Sequence, residues 1–380
     1  MNQAAIGLLP RAGGEYRPLV GPGFGARALP GGFIYFALRG ELHPSRFDAE
    51  RGVVGRSLPQ VSNVAMDALM GQVHAAASDT GLLVFAEGGD LSAGRPVWMD
   101  RAGHVEELPL PAAHYNVFHL GPGDRKLALQ TCDLEDYVLV ADFEDGSSHR
   151  LGLSPAGWPT WSSDGSSLYV SSRDGDVVRL GRVDPCRDSF ENLAGVQNAV
   201  TAFFTDVHPT SGALVDVWRS GTGGVNLLRP DSRELTELVG DGSSGGQFSP
   251  DGSLLAYVSY DTGAARIRVR TFPDGDVDVP VSGEAAVESV WCRACSDLYF
   301  HDADTVYSVE VSLTAESLHV TAPAPVWFIP DWVDSSGRSY DVSEDGARVL
   351  YMRREHSPDR KRVHLVHNWP EQLRHLPALD

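Results

Sequence analysis

Residues 248–259 read FSPDGSLLAYVS, and the same outline of strand, turn and strand returns along the chain. Two other clear copies read WSSDGSSLYVSS at residues 161–172 and VSEDGARVLY at residues 342–351. In each copy, Asp-Gly predicts the positive-φ geometry of a two-residue hairpin, and the β-branched and aromatic residues after it predict a second strand. The chain therefore repeats one antiparallel hairpin.

Weaker copies of this hairpin extend the repeat over the whole chain. They lie at residues 29–33, 78–82, 121–124, 208–212 and 294–297. The turns are roughly 40 to 50 residues apart, which is the period expected of the four-stranded blades of a β-propeller. We therefore predict an all-β chain that forms a single closed propeller over residues 1–380. Eight blades are favoured and seven are the alternative; a pair of β-sandwiches is the alternative to a propeller.

The two ends of the chain are predicted to complete one blade together. Residues 1–20 contain outer strands at 6–9 and 15–20, and residues 340–369 supply the remaining strands, followed by a C-terminal tail at 370–380. A blade shared in this way would remove the exposed edges that an open sheet leaves available for aggregation.

Charge and hydropathy exclude several classes of partner. The formal net charge is −20, with 51 acidic against 31 basic residues, so a nucleic-acid backbone would be repelled. The basic run at 353–362 is interpreted as a solvated hairpin. No run of 18 apolar residues predicts membrane insertion, and residues 1–11 do not resemble an export signal. The expected location is cytoplasmic, or extracytoplasmic if the chain is a fragment of a longer exported protein.

Three stretches carry a family resemblance. They read PVWMDRAG at residues 96–103, YDVSEDG at residues 340–346 and VHLVHNWPEQL at residues 363–373. They resemble the LVWVDRSG, YDVSPDG and VVLNWxxEL stretches of the TolB-like propeller family, and more narrowly of the propeller domains downstream of bacterial serine/threonine kinase domains. The resemblance runs from about Gly13 to Leu373 and implies a propeller. It does not specify one function, because such propellers serve as sensory or docking modules, as peptidase accessory domains and occasionally as enzymes. No kinase signature precedes the repeats.

The loops that lead from one blade into the next surround one mouth of a propeller channel. Candidate recognition residues there are His114, Tyr115, Asn116, Trp158, Phe203, Phe204, Gln247 and Glu288. Aromatic groups at these positions either anchor a partner or wedge adjacent blades together, and the sequence leaves both open for Trp158 and Phe203. We predict a non-catalytic, monomeric scaffold or sensor without a cofactor, which binds a protein, a peptide or a small molecule at this mouth.

The rival hypothesis is a metal-dependent lyase or hydrolase with its site in the axial channel. His74, His119 and His208 lie on or beside predicted first strands, where imidazoles can converge on a metal as in oligogalacturonate lyases of related architecture. Their different offsets from the following turns argue against a shared ion. A serine hydrolase is disfavoured because no G-x-S-x-G elbow occurs.

Two smaller patterns have competing interpretations. Cys292 and Cys295 have the spacing of a disulfide or of half a zinc site, although two free thiols are favoured. Three acidic pairs are interpreted as turn residues rather than calcium ligands. These pairs are Asp174 with Asp176, Asp274 with Asp276, and Asp302 with Asp304.

Overall fold

The computed structural model describes residues 5–9, 13–21, 23–67, 71–89, 91–132, 136–152, 157–187, 189–208, 210–314, 317–333, 337–355 and 362–377. Strands account for 58% and helices for 3%, so the predicted all-β class is confirmed. Contacts group the chain into two compact units. We call residues 95–353 the central unit, and residues 1–94 with 354–380 the terminal unit. That all 380 residues form one domain stays a prediction.

Short strands fill the first part of the terminal unit. They are β1 (Ile6–Leu8), β2 (Arg17–Val20), β3 (Phe24–Leu29), β4 (Phe33–Leu38), β5 (Glu41–Asp48), β6 (Val53–Val54), β7 (Met66–Asp67), β8 (Gln72–Val73), β9 (Ala75–Ala77) and β10 (Leu83–Ala86). β3 to β6 form a four-stranded sheet, while β1 pairs with β2 and β7 pairs with β8.

The central unit continues with longer strands. They are β11 (Gly94–Asp100), β12 (Val105–Glu107), β13 (Tyr115–Leu120), β14 (Lys126–Cys132), β15 (Asp136–Asp142), β16 (Ser148–Arg150), β17 (Gly157–Trp161), β18 (Leu168–Asp174), β19 (Val177–Asp184), β20 (Ser189–Gln197), β21 (Thr201–His208), β22 (Gly212–Arg219), β23 (Thr222–Arg229), β24 (Glu234–Val239), β25 (Ser243–Phe248), β26 (Leu254–Ser259), β27 (Arg266–Thr271), β28 (Asp278–Pro280), β29 (Val287–Trp291), β30 (Asp297–Asp302), β31 (Thr305–Leu313), β32 (Leu318–Val320), β33 (Ala324–Phe328), β34 (Tyr340–Val342) and β35 (Arg348–Arg354).

These strands form a series of sheets, most of them four-stranded. Consecutive strands make the sheets β13–β16, β17–β20, β21–β24, β25–β28 and β29–β32, with β33 also paired to β31. A further sheet has the order β12-β11-β35-β34 and so combines strands from both ends of the central unit. Many four-stranded antiparallel sheets are consistent with a β-propeller.

The first strands of these sheets contact one another in sequence. β13 contacts β17, β17 contacts β21, β21 contacts β25 and β25 contacts β29, while β34 contacts both β29 and β13. We call β13, β17, β21, β25, β29 and β34 the inner strands. Behind them, apolar side chains on both faces of the second strands pack against the neighbouring sheets; Val170, Leu255 and Leu350 are buried, as their alternating pattern predicts.

The predicted pairing of the two chain ends is wrong. Within the described residues, β2 pairs with β1 alone, and β34 and β35 are completed by β11 and β12 instead. The eight-blade count is not confirmed. Long-range contacts favour the pairing of β11 with β35. The Arg101 guanidinium donates to the Gly346 carbonyl at 2.9 Å and to the Tyr299 hydroxyl at 3.1 Å. These bonds hold the turn after β11 against the turn before β35.

The turn between the first two strands differs from the predicted two-residue hairpin. In the copy at 342–351, Gly346 adopts a φ of +68°, but Asp345 does not take up positive φ. Instead, the Ser343 hydroxyl donates to Asp345 Oδ1 at 2.7 Å and accepts from the Arg348 N–H at 2.9 Å. The hydroxyl bond and the Ala347 N–H lower the pKa of Asp345. A four-residue turn closed by serine therefore explains the repeated Ser-x-Asp-Gly.

The chain returns to the terminal unit after β35. β36 (Val363–Val366) pairs with β10 in the sheet β36-β10-β9, and the short helix α1 (Trp369–Gln372) follows. The buried Trp369 ring lies edge-on to Tyr35, with ring centres 5.5 Å apart. Leu373 and Leu376 are also buried there, so the residues predicted as a C-terminal tail contribute to this core. Of the basic run, residues 356–361 lie outside the described residues.

No helix within the described part of the chain is long and apolar enough to cross a membrane.

Candidate functional site

A repeated β-bulge directs side chains of the inner strands towards a cavity in the central unit. The register shifts between residues 157 and 160, between 244 and 247, and between 287 and 289. At these bulges Trp158, Gly245 and Glu288 have φ values of +56°, +64° and +48°. Glycine adopts this conformation freely, whereas it is uncommon for tryptophan or glutamate. Bulges often redirect a side chain at functional sites, and both Trp158 and Glu288 line the cavity.

Trp158 is fixed from three sides. Its backbone N–H donates to Gln130 Oε1 at 3.0 Å. Its ring stacks on that of Phe203, with the ring centres 3.8 Å apart and the planes inclined by 16°. Gly337 packs against the ring so closely that a Cβ there would overlap it. The bulge and the contacts with Gln130, Phe203 and Gly337 therefore place the indole in one position at the cavity wall.

Substitution of Gly337 tests this placement. In Gly337→Ala the new methyl would overlap the Trp158 ring and lie 2.5 Å from Val117 Cγ2. We expect a loss of about 1 to 3 kcal/mol in the free energy of unfolding, as is typical of overpacking, together with a changed tryptophan emission spectrum. Gly283→Ala is the matched control, because no atom lies within 4 Å of its Cβ position. Equal unfolding curves for both variants would contradict the tight packing.

Polar side chains link every neighbouring pair of inner strands. In each link a side chain from one strand bonds a backbone group in, or directly before, the next strand. The bonds are Leu120 N–H to Asp341 Oδ2 (3.0 Å), Trp161 N–H to His119 Nδ1 (3.2 Å), Thr160 Oγ1–H to the Phe204 carbonyl (3.1 Å), Phe248 N–H to Asp206 Oδ2 (2.8 Å), Trp291 N–H to Gln247 Oε1 (3.4 Å) and Ser339 N–H to Glu288 Oε2 (2.9 Å). The first of these bonds joins β34 to β13, and the last joins β29 to Ser339, which directly precedes β34.

Asp341 is the most heavily bonded of these groups. Besides Leu120, its carboxylate accepts the Val342 N–H at 3.0 Å. It also lies 3.1 Å from Arg338 Nη1 and 3.7 Å from Arg293 Nη2. The carboxylate side chain is 1% exposed and that of Arg338 is 12% exposed, so this is a buried charge cluster. A buried carboxylate between two guanidinium groups is favourable only while all of them are present.

A second buried carboxyl group, Asp216, lines the cavity from β22. Its Oδ2 accepts the Gly245 N–H at 2.7 Å, whereas Oδ1 accepts no hydrogen bond. Burial raises the pKa of Asp216 to about 7, against the opposing influence of the Gly245 and Gly246 N–H groups. Asp216 therefore changes charge near neutral pH, directly at the wall of the cavity.

Glu288 faces the cavity from β29. Its Oε2 accepts both the N–H and the hydroxyl of Ser339, each at 2.9 Å. His301 Nε2 lies 3.8 Å from the same oxygen, but burial lowers the pKa of this histidine to about 4, so the ring is neutral at pH 7. The Ser339 groups and the His301 ring beside this carboxylate are therefore uncharged.

The cavity has a volume of about 320 Å³ and is lined from all six inner strands or the residues that directly precede them. Five of the eight residues predicted from the mouth loops line it. They are Trp158, Phe203, Phe204, Gln247 and Glu288. Asp216, Trp218, Tyr260 and Arg338 also line it and were not identified from the sequence.

The other three predicted mouth residues are not among the lining residues of this cavity. Tyr115 is buried and donates its hydroxyl to the Pro111 carbonyl at 3.0 Å, and burial raises its pKa to about 12. Asn116 is also buried, next to Tyr115 in β13. His114 directly precedes that strand. The register of β13 also shifts between residues 115 and 117, but unlike Trp158 and Glu288 at the other bulges, Asn116 does not have a positive φ.

The three predicted metal ligands belong to different units of the chain. His74 belongs to the terminal unit, whereas His119 and His208 line a second cavity of about 270 Å³ in the central unit. Burial, and then the charges of Arg338 and Arg293, lower the pKa of His119 well below its usual value. Among the described residues, no group of three or more His, Cys, Asp or Glu side chains is arranged to hold a metal ion.

The remaining sequence patterns have structural roles. Cys292 and Cys295 form a disulfide, which overturns the preference for free thiols. Of the acidic pairs, Asp176 and Asp304 lie in turns, Asp174 and Asp302 end the strands directly before those turns, and Asp274 and Asp276 lie between β27 and β28.

Comparisons with known proteins identify the fold and no more. No protein-family model matches the chain, and no curated protein matches it. Among solved structures, a putative TolB from Agrobacterium tumefaciens has a TM-score of 0.52 at 14% identity, covering 70% of this chain and 99% of that chain. TolB from Acinetobacter baumannii has a TM-score of 0.46 at 12% identity, covering 84% of this chain and 78% of that chain.

Prolyl endopeptidases are also among the similar structures, with a TM-score of 0.42 at 14% identity over 86% of this chain and 53% of that chain. A score this low carries no argument about activity. The structural neighbours are thus TolB-like β-propeller proteins at low identity, while the narrower link to kinase-associated propellers is not confirmed.

Proposed function

We propose that the central unit is a closed six-bladed β-propeller and that its cavity binds a small ligand or a peptide segment. The sequence of contacts from β13 back to β13 supports closure. The six side-chain links support it further, because each of them joins neighbouring inner strands. In this arrangement β11 and β12 supply the outer strands of the blade that begins with β34 and β35.

The observation that carries the binding function is the strained Trp158 at the cavity wall. A non-glycine residue with positive φ is unfavourable by about 1 to 3 kcal/mol and persists at functional sites where the surroundings enforce it. Gln130 and Phe203 provide that enforcement. A side chain needed only to wedge two blades would not require a left-handed backbone, so we assign Trp158 to recognition.

The shape and chemistry of the cavity agree with ligand binding. Its volume of about 320 Å³ lies within the range of small-molecule sites, which are mostly apolar with a few placed polar groups. Here the aromatic side chains provide the apolar surface, and Glu288, Gln247 and Asp216 provide the polar groups. A binding module is therefore favoured over an enzyme with an axial metal.

A ligand screen on paired variants tests this function. Small metabolites and short peptides that bind in the cavity should raise the melting temperature of the parent, because they bind only the folded chain. Phe203→Ala should abolish these shifts, since it removes the stacking partner of Trp158. His114→Ala, which changes a residue outside the cavity lining, should leave them intact. Shifts that survive Phe203→Ala, or a screen without any shift, would contradict the proposal.

A further inference from the structure

The cavity wall is rich in aromatic side chains on one side. Trp158 and Phe203 lie on adjacent inner strands, Trp218 lies on β22, and Tyr260 directly follows β26. Trp218 is half-buried and Tyr260 is 40% exposed, so both are accessible from solvent. The faces of aromatic rings carry negative electrostatic potential and attract cations that lie over them.

Two carboxyl groups line the same cavity. Glu288 lies on β29, and Asp216 is 1% exposed with an Oδ1 that accepts no hydrogen bond. A buried oxygen without a hydrogen-bond donor is unfavourable unless a ligand supplies a donor or a positive charge. The low-dielectric surroundings also strengthen the field of any carboxylate in such a cleft.

The cation at this wall, Arg338, already has a carboxylate partner. Arg338 lies 3.1 Å from the Asp341 carboxylate, which is buried behind it. An anionic ligand would therefore have to compete with Asp341 for Arg338, and it would meet Glu288 in the same cavity. The formal net charge of −20 adds a further unfavourable contribution for anions.

We propose that the ligand presents a positively charged amine, a primary or quaternary ammonium group, to the aromatic wall formed by Trp158, Phe203, Trp218 and Tyr260. This inference rests on the proposed binding function of the cavity. Trp158 and Phe203 each lose one ring face to their mutual stacking, so the ammonium group lies against the remaining surface of this wall, and Glu288 provides the opposite charge. A primary ammonium group also donates an N–H to Asp216 Oδ1, the oxygen that accepts no hydrogen bond within the chain.

Three probes of nearly the same size and shape separate charge from apolar contact. They are choline, its uncharged isostere 3,3-dimethylbutan-1-ol and the anion 3,3-dimethylbutanoate. Binding to the full chain is measured by ligand-observed NMR and by calorimetry. We expect choline to bind about tenfold more tightly than the alcohol and the anion to bind least.

Single substitutions then locate the charge effect. Glu288→Gln retains an oxygen that can accept the Ser339 hydrogen bonds, and it should weaken choline about fivefold or more without changing the affinity for the alcohol. Tyr260→Leu keeps an apolar group at an exposed position and should also weaken choline selectively. Glu234→Gln, on the exposed face of β24, is the matched control for charge and should leave all three affinities unchanged.

Several results would overturn the inference. They are equal binding of choline and the alcohol, preferred binding of the anion, choline binding that is insensitive to Glu288→Gln, and no binding of choline up to its highest usable concentration. Failure of the underlying binding function is distinguishable, because the broader screen includes neutral and anionic compounds. Neutral or anionic hits that depend on Phe203 would refute the amine and leave the binding cavity intact.

Discussion

Replacing Asp341 with alanine should lower the free energy of unfolding by about 3 to 5 kcal/mol, because removing one partner leaves the others buried and uncompensated. The substitution leaves Arg338 and Arg293 close together without their shared carboxylate. It also removes the acceptor of the Leu120 N–H and so the link between β34 and β13. For a unit of this size the melting temperature should fall by on the order of 10 °C. Chemical denaturation monitored by circular dichroism measures the change.

Two further variants separate the charge from the hydrogen bond. Asp341→Asn retains an acceptor for Leu120 but loses the negative charge, so its stability should lie between those of the parent and the alanine variant. Asp345→Ala removes an exposed acidic residue from the neighbouring turn, where its bonds are to Ser343 and Ala347, and should lower stability by about 1 kcal/mol. If Asp341→Ala were no more harmful than Asp345→Ala, the proposed closure through β34 would lose its main support.

Replacing Asp216 with asparagine should change how stability depends on pH. Because burial raises the pKa of Asp216 to about 7, the folded chain holds a proton between about pH 4 and pH 7 that the unfolded chain has released. The contribution of this group to stability is therefore complete below about pH 4 and is lost as the pH rises through 7. Asparagine does not titrate, and its side-chain oxygen can accept the Gly245 N–H.

The expected difference is large enough to measure directly. Relative to the parent, Asp216→Asn should gain on the order of 4 kcal/mol in the free energy of unfolding between pH 4 and pH 8. Urea denaturation at several pH values gives this quantity. Asp345→Asn is the control, because the hydrogen bonds to that carboxylate lower its pKa and place its titration below this range. Parallel stability profiles for the parent and Asp216→Asn would show that the Asp216 carboxyl is not held neutral by burial.

Both predictions concern carboxyl groups that shape the cavity without protruding into solvent. Asp341 keeps Arg338 paired, and Asp216 accepts the Gly245 N–H at a bulge of β25. Asp216 also lines the cavity. Loss of ligand binding in either variant must therefore be separated from loss of stability, and binding is best compared at temperatures well below the midpoint of the less stable protein.

The sequence by itself determined the local architecture. Asp-Gly followed by β-branched and aromatic residues predicted the repeated strand, turn and strand, although the turn at 342–351 is closed over four residues by a serine hydroxyl and is not a two-residue hairpin. The resemblance of residues 96–103 and 340–346 indicated a TolB-like propeller, in agreement with the structural neighbours. The expectation that loops leading into the first strands surround one mouth of the channel also selected Trp158, Phe203, Phe204, Gln247 and Glu288, which line the cavity.

Only the tertiary structure decided which strands complete the sheet of β34 and β35, since backbone pairing carries little sequence information and β11 and β2 are both plausible edge partners. It also decided which side chains share the cavity. Asp216 and Arg338 meet Trp158 and Glu288 there although they lie between 58 and 180 residues away from Trp158 in sequence. The sequence of β22, to which Asp216 belongs, resembles that of any strand that packs between blades. Burial raises the pKa of Asp216, and burial depends on the neighbouring sheets rather than on the local sequence pattern.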